Sequence, residues 1–196
     1  AQILDNLIAQ GKAKPMIVVM TNGNTKHQSA PGESGEGMYK PYNCGSSDTS
    51  FELHFKDVIS FVDSHYRTIP KASSRAITGL SMGGGHSFQI SLNYPKTFDY
   101  VGLFSAAVGM RTTNGGEMAP EFYQDTYEKL DKLFANNPKL YYIGIGETDF
   151  LMKSNNELRA YLDGKGYHYV YVETPGGHIW RNWRIYLNDF AQRIFK

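Results

Sequence analysis

The stretch "ITGLSMGGGHSF", residues 77–88, decides the fold, because it places a serine between glycines where one hydrophobic pattern gives way to another. A β-rich run, "RAIT", leads into it, and a helical pattern follows it. Gly79, Ser81 and Gly83 match G-x-S-x-G, in which the serine occupies a strained turn between a strand and a helix and points out of the sheet. Many chains contain this pattern by chance in a structural turn. The strand and the helix around it favour a nucleophile elbow.

Composition indicates a globular protein and argues against two classes of partner. The chain has 196 residues, of which 41% are hydrophobic and 20% are charged, so we predict one domain over residues 1–196 with a sizeable core. The net charge is +1 without a lysine or arginine block, which argues against a nucleic-acid partner. The longest apolar runs have about six residues, far short of the ~20 that cross a bilayer, so no membrane partner is expected.

Short β-rich runs alternate with helical patterns along the chain. The β-rich runs are continuous in apolar residues, as in strands buried on both faces of a sheet, and lie at 16–20, 75–78, 100–105, 140–145 and 168–172. Helical patterns occupy 3–8, 51–67, 81–94, 121–135, 154–163 and 181–195. This alternation predicts an α/β fold with a mostly parallel sheet and helices on both faces.

Two polar, glycine-containing segments interrupt the alternation, at 21–48 and 106–120. Loops of this length in a compact domain are usually functional, so we expect them to wall a cleft at the serine. Between the two segments, Thr49 and Glu52 have the spacing of a capping box. This spacing predicts that the helix over 51–67 begins there.

Ser81 needs a base, because a serine hydroxyl is a poor nucleophile at neutral pH. In this class of fold the base is a histidine that follows the serine and the acid in chain order, and only His168 and His178 lie downstream. His168 opens the run "HYVYV", where its side chain would pack on the sheet. His178 lies in "TPGGHIW", a glycine turn between the last strand and the last helix, which is the position expected of an exposed base. The sequence therefore favours His178.

The acid that orients the base should follow a strand of the sheet. The stretch "LYYIGIGETDF" offers Glu147 and Asp149, and Glu173 on the strand leading to His178 is a third candidate. Asp149 is favoured because it lies further past the strand end and leaves room for the loop to turn back toward the base. A role as a helix cap or turn former is the alternative for these carboxylates.

The other site residues follow from the elbow and the histidine loop. The backbone N–H of Met82 lies at the start of the predicted helix and would donate to an oxyanion. Trp180 lies beside the candidate base and would contact substrate in the cleft. No pair of histidines has H-x-H or H-E-x-x-H spacing, so neither a metal nor another cofactor is expected.

Three stretches carry a family resemblance, "GLSMGGGHSF", "GETDF" and "GGHIWRNWRIYLNDFAQRIFK". They resemble the esterase D-type group of α/β-hydrolases, especially the family-one carbohydrate esterases, which include feruloyl esterases and acetyl xylan esterases acting on plant cell-wall xylan. "ILDNLIAQGKAKPMIVVM" is similar to the helix and strand that precede the elbow in that group, so the resemblance covers nearly the whole chain. It implies Ser81 as nucleophile, Asp149 as orienting acid and His178 as base.

The chain departs from the family pattern at its start. The resemblance implies further strands before the first helix, the last of which carries a loop that supplies the second oxyanion donor and lies between the runs at 16–20 and 75–78. We therefore expect the chain to be the C-terminal portion of the full fold, completed by an N-terminal segment or by a companion chain. Gly23 is a substitute candidate for the second donor, and Asn24 is a candidate for substrate contact.

The resemblance implies a serine carboxylesterase that removes feruloyl or related hydroxycinnamoyl groups from a polysaccharide such as xylan. An ester-decorated polysaccharide or oligosaccharide is then the expected partner, and secretion or a periplasmic location is the expected destination. Alternatives within the group are an acetyl xylan esterase, a hydrolase of S-formylglutathione or of siderophore esters, and a mycolyl transferase. A catalytically dead carbohydrate-binding relative is the alternative from a different class.

Overall fold

The computed structural model of the chain describes residues 2–21, 51–109 and 121–196. The α-helices are α1 (Gln2–Ala9), α2 (Phe55–His65), α3 (Met82–Asn93), α4 (Thr126–Ala135), α5 (Met152–Gly164) and α6 (Trp180–Ala191). The strands are β1 (Ala76–Leu80), β2 (Tyr100–Phe104), β3 (Leu140–Gly146) and β4 (Val170–Thr174), and short 3-10 helices cover Ala72–Ser74 and Glu121–Tyr123. Among the described helices, none is long and apolar enough to cross a membrane.

The four strands form one parallel sheet in the order β1-β2-β3-β4. Every residue of β2 and β3 is buried, which explains why these strands read as continuous apolar runs rather than as an alternating pattern. The carboxyl ends of parallel strands meet at one edge of a sheet, so the loops after β1, β3 and β4 lie close together. These are the loops that carry the predicted site residues.

Helices cover both faces of this sheet, as the sequence predicts. One face buries Val101 and Ile143 in a cluster shared with side chains from α3, α4 and α5. The other face buries Phe104 and Tyr142 against α6, and α1 packs on α6 through a small cluster that includes Leu7. The predicted α/β-hydrolase class, with a parallel sheet between two helical layers, is confirmed.

The predicted strand at 16–20 is wrong. Residues 14–21 have no regular secondary structure, and the side chains of Ile17, Val18, Val19 and Met20 are between 48% and 89% exposed. A strand needs a neighbour to pair its backbone N–H and C=O groups. Among the described residues, β1 pairs with β2 alone, and no described strand pairs with 16–20. An apolar, β-rich composition without a pairing partner is therefore not enough to form a strand.

The second helix begins later than the capping-box spacing predicts. Helix α2 begins at Phe55, after an N-cap residue, His54, that makes no side-chain capping hydrogen bond. Glu52 is fully buried, and its carboxylate accepts hydrogen bonds from the side chains of His86 and Tyr123. These two partners are distant in sequence, and neither belongs to the helix that follows Glu52. The other predicted member of the box, Thr49, lies outside the described residues.

Candidate active site

Ser81 occupies the tight turn between β1 and α3 with a backbone φ of 52° and ψ of −117°. A positive φ is strained for a residue with a side chain, and it persists only where the surrounding structure over-determines it. Three backbone hydrogen bonds do this: the N–H of Ser81 donates to Phe104 O at 2.9 Å, and its carbonyl accepts from Gly85 and Ala107 at 3.0 Å each. The end of β2 and the first turn of α3 thus clamp the turn.

The first glycine of the motif is required by a close backbone approach. A Cβ at Gly79 would lie 2.3 Å from the carbonyl carbon and oxygen of Gly83, a separation that would force the strand and the helix apart. A Cβ at Gly83 would meet nothing within 4 Å. The tight apposition expected of an elbow is therefore present, but the steric demand falls on Gly79, against the backbone of Gly83.

The structure brings Ser81, His178 and Asp149 together. Ser81 Oγ lies 2.8 Å from His178 Nε2, and His178 Nδ1 lies 2.9 Å from Asp149 Oδ2. With the proton on Nδ1, the imidazole donates to the carboxylate and its Nε2 accepts the hydrogen bond of the serine hydroxyl. The loops after three different strands therefore supply the three groups, which is the arrangement required for a serine nucleophile with a general base.

Asp149 is buried and doubly fixed. Its side chain is fully buried, while that of His178 retains 19% exposure. Its second oxygen, Oδ1, accepts a hydrogen bond from the backbone N–H of Leu151 at 2.9 Å. The carboxylate therefore has a partner on each oxygen, and only one orientation of the imidazole satisfies it.

The other two carboxylates considered from the sequence have different partners. Glu147 Oε1 accepts a hydrogen bond from the backbone N–H of Gly176 at 3.3 Å, so it braces the loop that carries His178. Glu173 accepts from the hydroxyl of Tyr171 on the same strand. His168, the alternative base, is exposed at the start of the segment leading into β4. Among these candidates, only Asp149 lies against the imidazole of His178.

The loop that carries His178 is pressed onto the end of β3. A Cβ at Gly146 would lie 2.3 Å from Gly176 O, and the N–H of Thr148 donates to that same oxygen at 3.1 Å. The side-chain amide of Asn182, in the first turn of α6, donates to Gly177 O at 3.1 Å. The acid loop and the base loop therefore form one hydrogen-bonded unit, which sets the distance between Asp149 and His178.

Met82 is the first residue of α3, directly after the serine. The first N–H groups of a helix have no intrahelical acceptor and lie at the positive end of its dipole, so this N–H is available to a developing oxyanion beside Ser81. Gly23 and Asn24 lie outside the described residues, as do most of the predicted cleft walls at 21–48 and 106–120.

Aromatic side chains surround His178, and most of them were not predicted. The ring centroid of Phe150 lies 4.6 Å from that of His178, and the ring of Trp183 lies 4.9 Å away in an edge-on contact. Trp183 Nε1 donates to the buried Ser105 Oγ at 3.0 Å. Trp180, which was predicted, contacts Trp183 edge-on at 5.1 Å. The only sequence signal for Phe150 was its place directly after the candidate acid.

A second histidine–carboxylate pair lies in the core behind the elbow. His86 Nδ1 lies 2.7 Å from Glu52 Oε1, and the hydroxyl of Tyr123 donates to Glu52 Oε2 at 3.1 Å. All three residues are buried, and burial lowers the pKa of His86 to about 4. The imidazole is therefore neutral at pH 7. No described group of three or more His, Cys, Asp or Glu side chains is arranged to hold a metal ion.

Sequence comparison places the chain among esterases. The family described as "Putative esterase" matches residues 1–194. An endo-1,4-beta-xylanase/feruloyl esterase of Xylanibacter ruminicola is 30% identical over 195 residues, which are 99% of this chain and 23% of that protein. An acetyl esterase of Caldicellulosiruptor saccharolyticus is 26% identical over 164 residues, 71% of this chain and 61% of that protein. The chain thus spans less than two thirds of the length of either curated relative.

Structure comparison agrees with the fold. The CE1 ferulic acid esterase of Anaeromyces mucronatus, solved in complex with ferulic acid, superposes with a TM-score of 0.75 at 21% identity, covering 97% of this chain and 69% of that one. A likeness at this identity concerns the fold alone, whereas the family match covers nearly all of the sequence. Taken with the elbow and the paired loops, these matches show that the chain belongs to the esterase family, serine ester hydrolases built on the α/β-hydrolase fold.

Proposed function

We propose that the chain hydrolyses feruloyl or related hydroxycinnamoyl esters on a plant cell-wall polysaccharide such as xylan. In this proposal Ser81 is the nucleophile, His178 the general base and acid, and Asp149 the group that orients the histidine. The observation that carries the proposal is the unbroken hydrogen-bonded series from Asp149 Oδ2 through the imidazole of His178 to Ser81 Oγ, at 2.9 and 2.8 Å.

The first half of the reaction transfers the acyl group to the enzyme. Ser81 Oγ attacks the ester carbonyl carbon as His178 Nε2 takes the hydroxyl proton, and the carbonyl oxygen becomes an oxyanion beside the N–H of Met82. When the intermediate collapses, the bond to the alcohol oxygen breaks and His178 returns the proton to that oxygen. The products of this half are the free sugar hydroxyl and an acyl-serine.

The second half releases the acid. A water molecule loses a proton to His178 Nε2 and attacks the acyl carbon, and the collapse of the second intermediate returns the proton to Ser81 Oγ. Asp149 stays ionised in both halves and stabilises the imidazolium form of His178, and because it is buried its charge is little screened. We assign the second oxyanion donor to Gly23 or to an added segment, both outside the described residues.

The substrate class is inferred from three supports. One relative is named as a feruloyl esterase joined to a xylanase, and a structural neighbour was solved with ferulic acid. The aromatic residues around His178, including Trp180, are suited to contact with the sugar of such a substrate. A polymeric cell-wall substrate also places the enzyme outside the cytoplasm, so secretion or a periplasmic location is part of the proposal.

Acetyl ester hydrolysis is the second candidate, supported by the similarity to an acetyl esterase. The same three residues would act in it, because acetyl and feruloyl esters share the bond that is cleaved. They differ in the acyl group that the protein must accommodate. Kinetics on feruloylated arabinoxylan, acetylated xylan and S-formylglutathione would rank these possibilities. Turnover that is fastest on acetylated xylan would replace the feruloyl proposal with the acetyl one.

The test of the residue roles uses Ser81→Ala and a fluorophosphonate label. Wild-type protein is expected to hydrolyse methyl ferulate or p-nitrophenyl acetate and to lose that activity when the label reacts with Ser81. The variant is expected to neither turn over nor become labelled. An unlabelled, inactive wild-type protein would point to a dead relative, and hydrolysis by the variant would refute the nucleophile.

We also propose that a further strand, from an N-terminal segment of a longer protein or from a companion chain, pairs with the edge of β1 that no described strand occupies. Ala76 and Leu80 of β1 pack in the cluster that also holds Met16, and the exposed apolar side chains at 17–20 continue from there. A strand added at this edge would pair the outward backbone groups of β1 and cover apolar surface. In hydrogen exchange, β1 amides should gain protection only when that segment is present; full protection in this chain alone would contradict the proposal.

A further inference from the structure

We infer that Phe150 and Trp180 form a sugar-binding surface on the leaving-group side of the site. The inference rests on the proposed reaction, since it concerns the alcohol half of the ester that Ser81 attacks. These two aromatic side chains are 69% and 63% exposed, although each touches an aromatic ring at the site. Two large apolar rings held in water beside a reactive histidine indicate a ligand surface rather than core packing.

The chemistry of the intermediate decides which half of the ester meets these rings. The tetrahedral carbon carries Ser81 Oγ, the oxyanion, the acyl group and the alcohol oxygen. The oxyanion points toward the N–H of Met82, and the alcohol oxygen must come within about 2.6–3.2 Å of the Nε2 of His178 to receive its proton. The alcohol is therefore beside the imidazole, and the acyl group extends in the remaining direction. Residues that flank His178 consequently face the alcohol.

Phe150 is fixed against the imidazole by the turn that also fixes the acid. Its ring centroid lies 4.6 Å from that of His178 with a tilt of 49°. The preceding residue, Asp149, bonds both to His178 and to the N–H of Leu151. The backbone on both sides of Phe150 is thus held by one buried carboxylate, and its exposed ring is positioned without a contribution from substrate.

Trp180 is positioned through a second set of contacts. It opens helix α6, and its ring meets that of Trp183 at 5.1 Å and 79°. Trp183 in turn contacts His178 edge-on and donates its indole N–H to Ser105. Because Phe150 and Trp183 both touch the imidazole, the surface reaches along the histidine loop from the acid to the start of α6.

A sugar fits this surface better than the aromatic acid does. The C–H face of a pyranose or furanose is apolar and packs flat on an aromatic ring, while its hydroxyl groups stay solvated at the edge. The alcohol of a cell-wall ester is a sugar of this kind, bonded through the oxygen that His178 protonates. The hydroxycinnamoyl ring lies on the acyl side, away from His178, so the same rings are not its pocket.

The test varies the alcohol while the acyl group stays the same. Phe150→Ala and Trp180→Ala are compared with wild type on methyl ferulate and on a feruloylated arabinoxylo-oligosaccharide. Each variant should lose about 3–10-fold in kcat/KM on the oligosaccharide ester, mainly through KM, as expected for the loss of about one aromatic contact. The loss on methyl ferulate should be smaller than this, because a methyl group cannot reach the surface and that ester reports only on the support that the rings give to His178. A matched acetyl pair, methyl acetate and acetylated xylo-oligosaccharide, serves if acetyl is the preferred group.

The control is Phe61→Ala, which makes the same substitution at a 56% exposed phenylalanine on α2, where the ring stacks on His65. It should change neither substrate's kinetics. Equal losses on the methyl and sugar esters would overturn the inference, because they would assign the rings to support of His178. A larger loss on the methyl ester would also overturn it, by placing the acyl group there.

Binding without turnover separates this inference from the proposed function. The chain has two tryptophans, Trp180 and Trp183, and both lie beside His178, so tryptophan emission reports on this surface. Unesterified arabinoxylo-oligosaccharide should change the emission of wild type and of Ser81→Ala, with affinity reduced in Phe150→Ala. If no ester is hydrolysed but this binding occurs, the proposed function fails and the sugar surface stands. If esters are hydrolysed but neither binding nor the alcohol-dependent loss is seen, the surface fails alone.

Discussion

Two histidine–carboxylate pairs flank the turn that carries Ser81, and they differ in how deeply the imidazole is buried. His178 directs Nδ1 to Asp149 and Nε2 to Ser81 Oγ, and its side chain is partly open to solvent. His86, one turn into α3, directs Nδ1 to Glu52 from a buried position. Both carboxylates are buried and within hydrogen-bond distance. A carboxylate that orients a histidine therefore does not by itself indicate a catalytic pair; His178 also has the serine hydroxyl at its other nitrogen and an opening to solvent.

The surroundings of the two histidines explain their different roles. His178 lies on a loop between the end of β3 and α6, and its side chain retains 19% exposure, so it can carry a transient charge. His86 lies inside the core, where desolvation lowers its pKa to about 4 and disfavours the charged form. We therefore assign proton transfer to His178 and Asp149. The role we assign to His86 and Glu52 is structural: they attach α3 to the segments around Glu52 and Tyr123.

The same substitution in both histidines gives the largest expected contrast. His178→Gln should lower kcat by about 10⁴–10⁶, because no base remains to take the serine proton. His86→Gln should keep kcat within about tenfold, because His86 is not expected to touch substrate. Hydrolysis of p-nitrophenyl acetate and the rate of fluorophosphonate labelling measure both variants. Comparable losses in the two would show that the buried pair also takes part in proton transfer.

The acid of the first pair gives the next largest effect. Asp149→Asn should lower kcat by about 10⁴ with little change in KM, since the amide would donate to Nδ1 and leave the proton on Nε2, where the serine needs an acceptor. Asp163→Asn, at an exposed aspartate bonded to Tyr169, is the control. Near wild-type turnover by Asp149→Asn would mean that another carboxylate, such as Glu147, orients His178 in solution.

Chain order predicted the first pair better than the second. His178 was recognisable because a glycine turn at the end of a strand is an exposed position, and the acid follows a strand by the same rule. Glu52 and His86 lie 34 residues apart, and nothing local in the sequence indicates that their side chains meet. The contact depends on how α3 and the residues before α2 pack, which is tertiary information.

The strands of the fold also differ in how well the sequence predicts them. The strands at 100–104 and 140–146 were predicted because central parallel strands are buried on both faces and therefore apolar throughout. The run at 16–20 has the same composition, yet its strand state depends on a neighbour that composition cannot supply. Phe150 was missed for a related reason: its contact with His178 joins two loops, and the sequence shows only that each loop exists.

The acid of the second pair should affect stability instead of activity. Glu52→Ala should lower the free energy of unfolding by about 2–6 kcal/mol, because it takes the shared carboxylate away from two buried donors, the imidazole N–H of His86 and the hydroxyl of Tyr123. Glu128→Ala removes an exposed carboxylate paired with Lys132 and should leave the unfolding midpoint unchanged. Urea unfolding followed by circular dichroism measures both. An unchanged midpoint in Glu52→Ala would show that the buried pair does not hold α3 in place.

Acid should weaken the fold through the same buried histidine. His86 has a folded-state pKa of about 4 against 6.5 for the free side chain, so between these values the unfolded chain binds more protons and stability falls as pH falls. The loss is on the order of 3 kcal/mol across that window and is complete near pH 4. The difference in unfolding free energy between wild type and His86→Gln, followed from pH 7 to 4, isolates this contribution. A pH-independent difference would mean that His86 keeps its proton affinity when buried beside Glu52.

The smallest effect should come from removing the hydrogen bond that holds Trp183, the aromatic neighbour of His178. Ser105→Ala removes the acceptor of the Trp183 indole N–H at 3.0 Å. Trp183 is buried, so the unpaired donor should cost about 1–3 kcal/mol of stability. Because Trp183 packs edge-on against His178, kcat should also fall by a few-fold while KM for methyl ferulate stays the same. A stability loss without any change in kcat would show that Trp183, like the buried pair, contributes to packing alone. Asp149 and its loop would then be what orients His178.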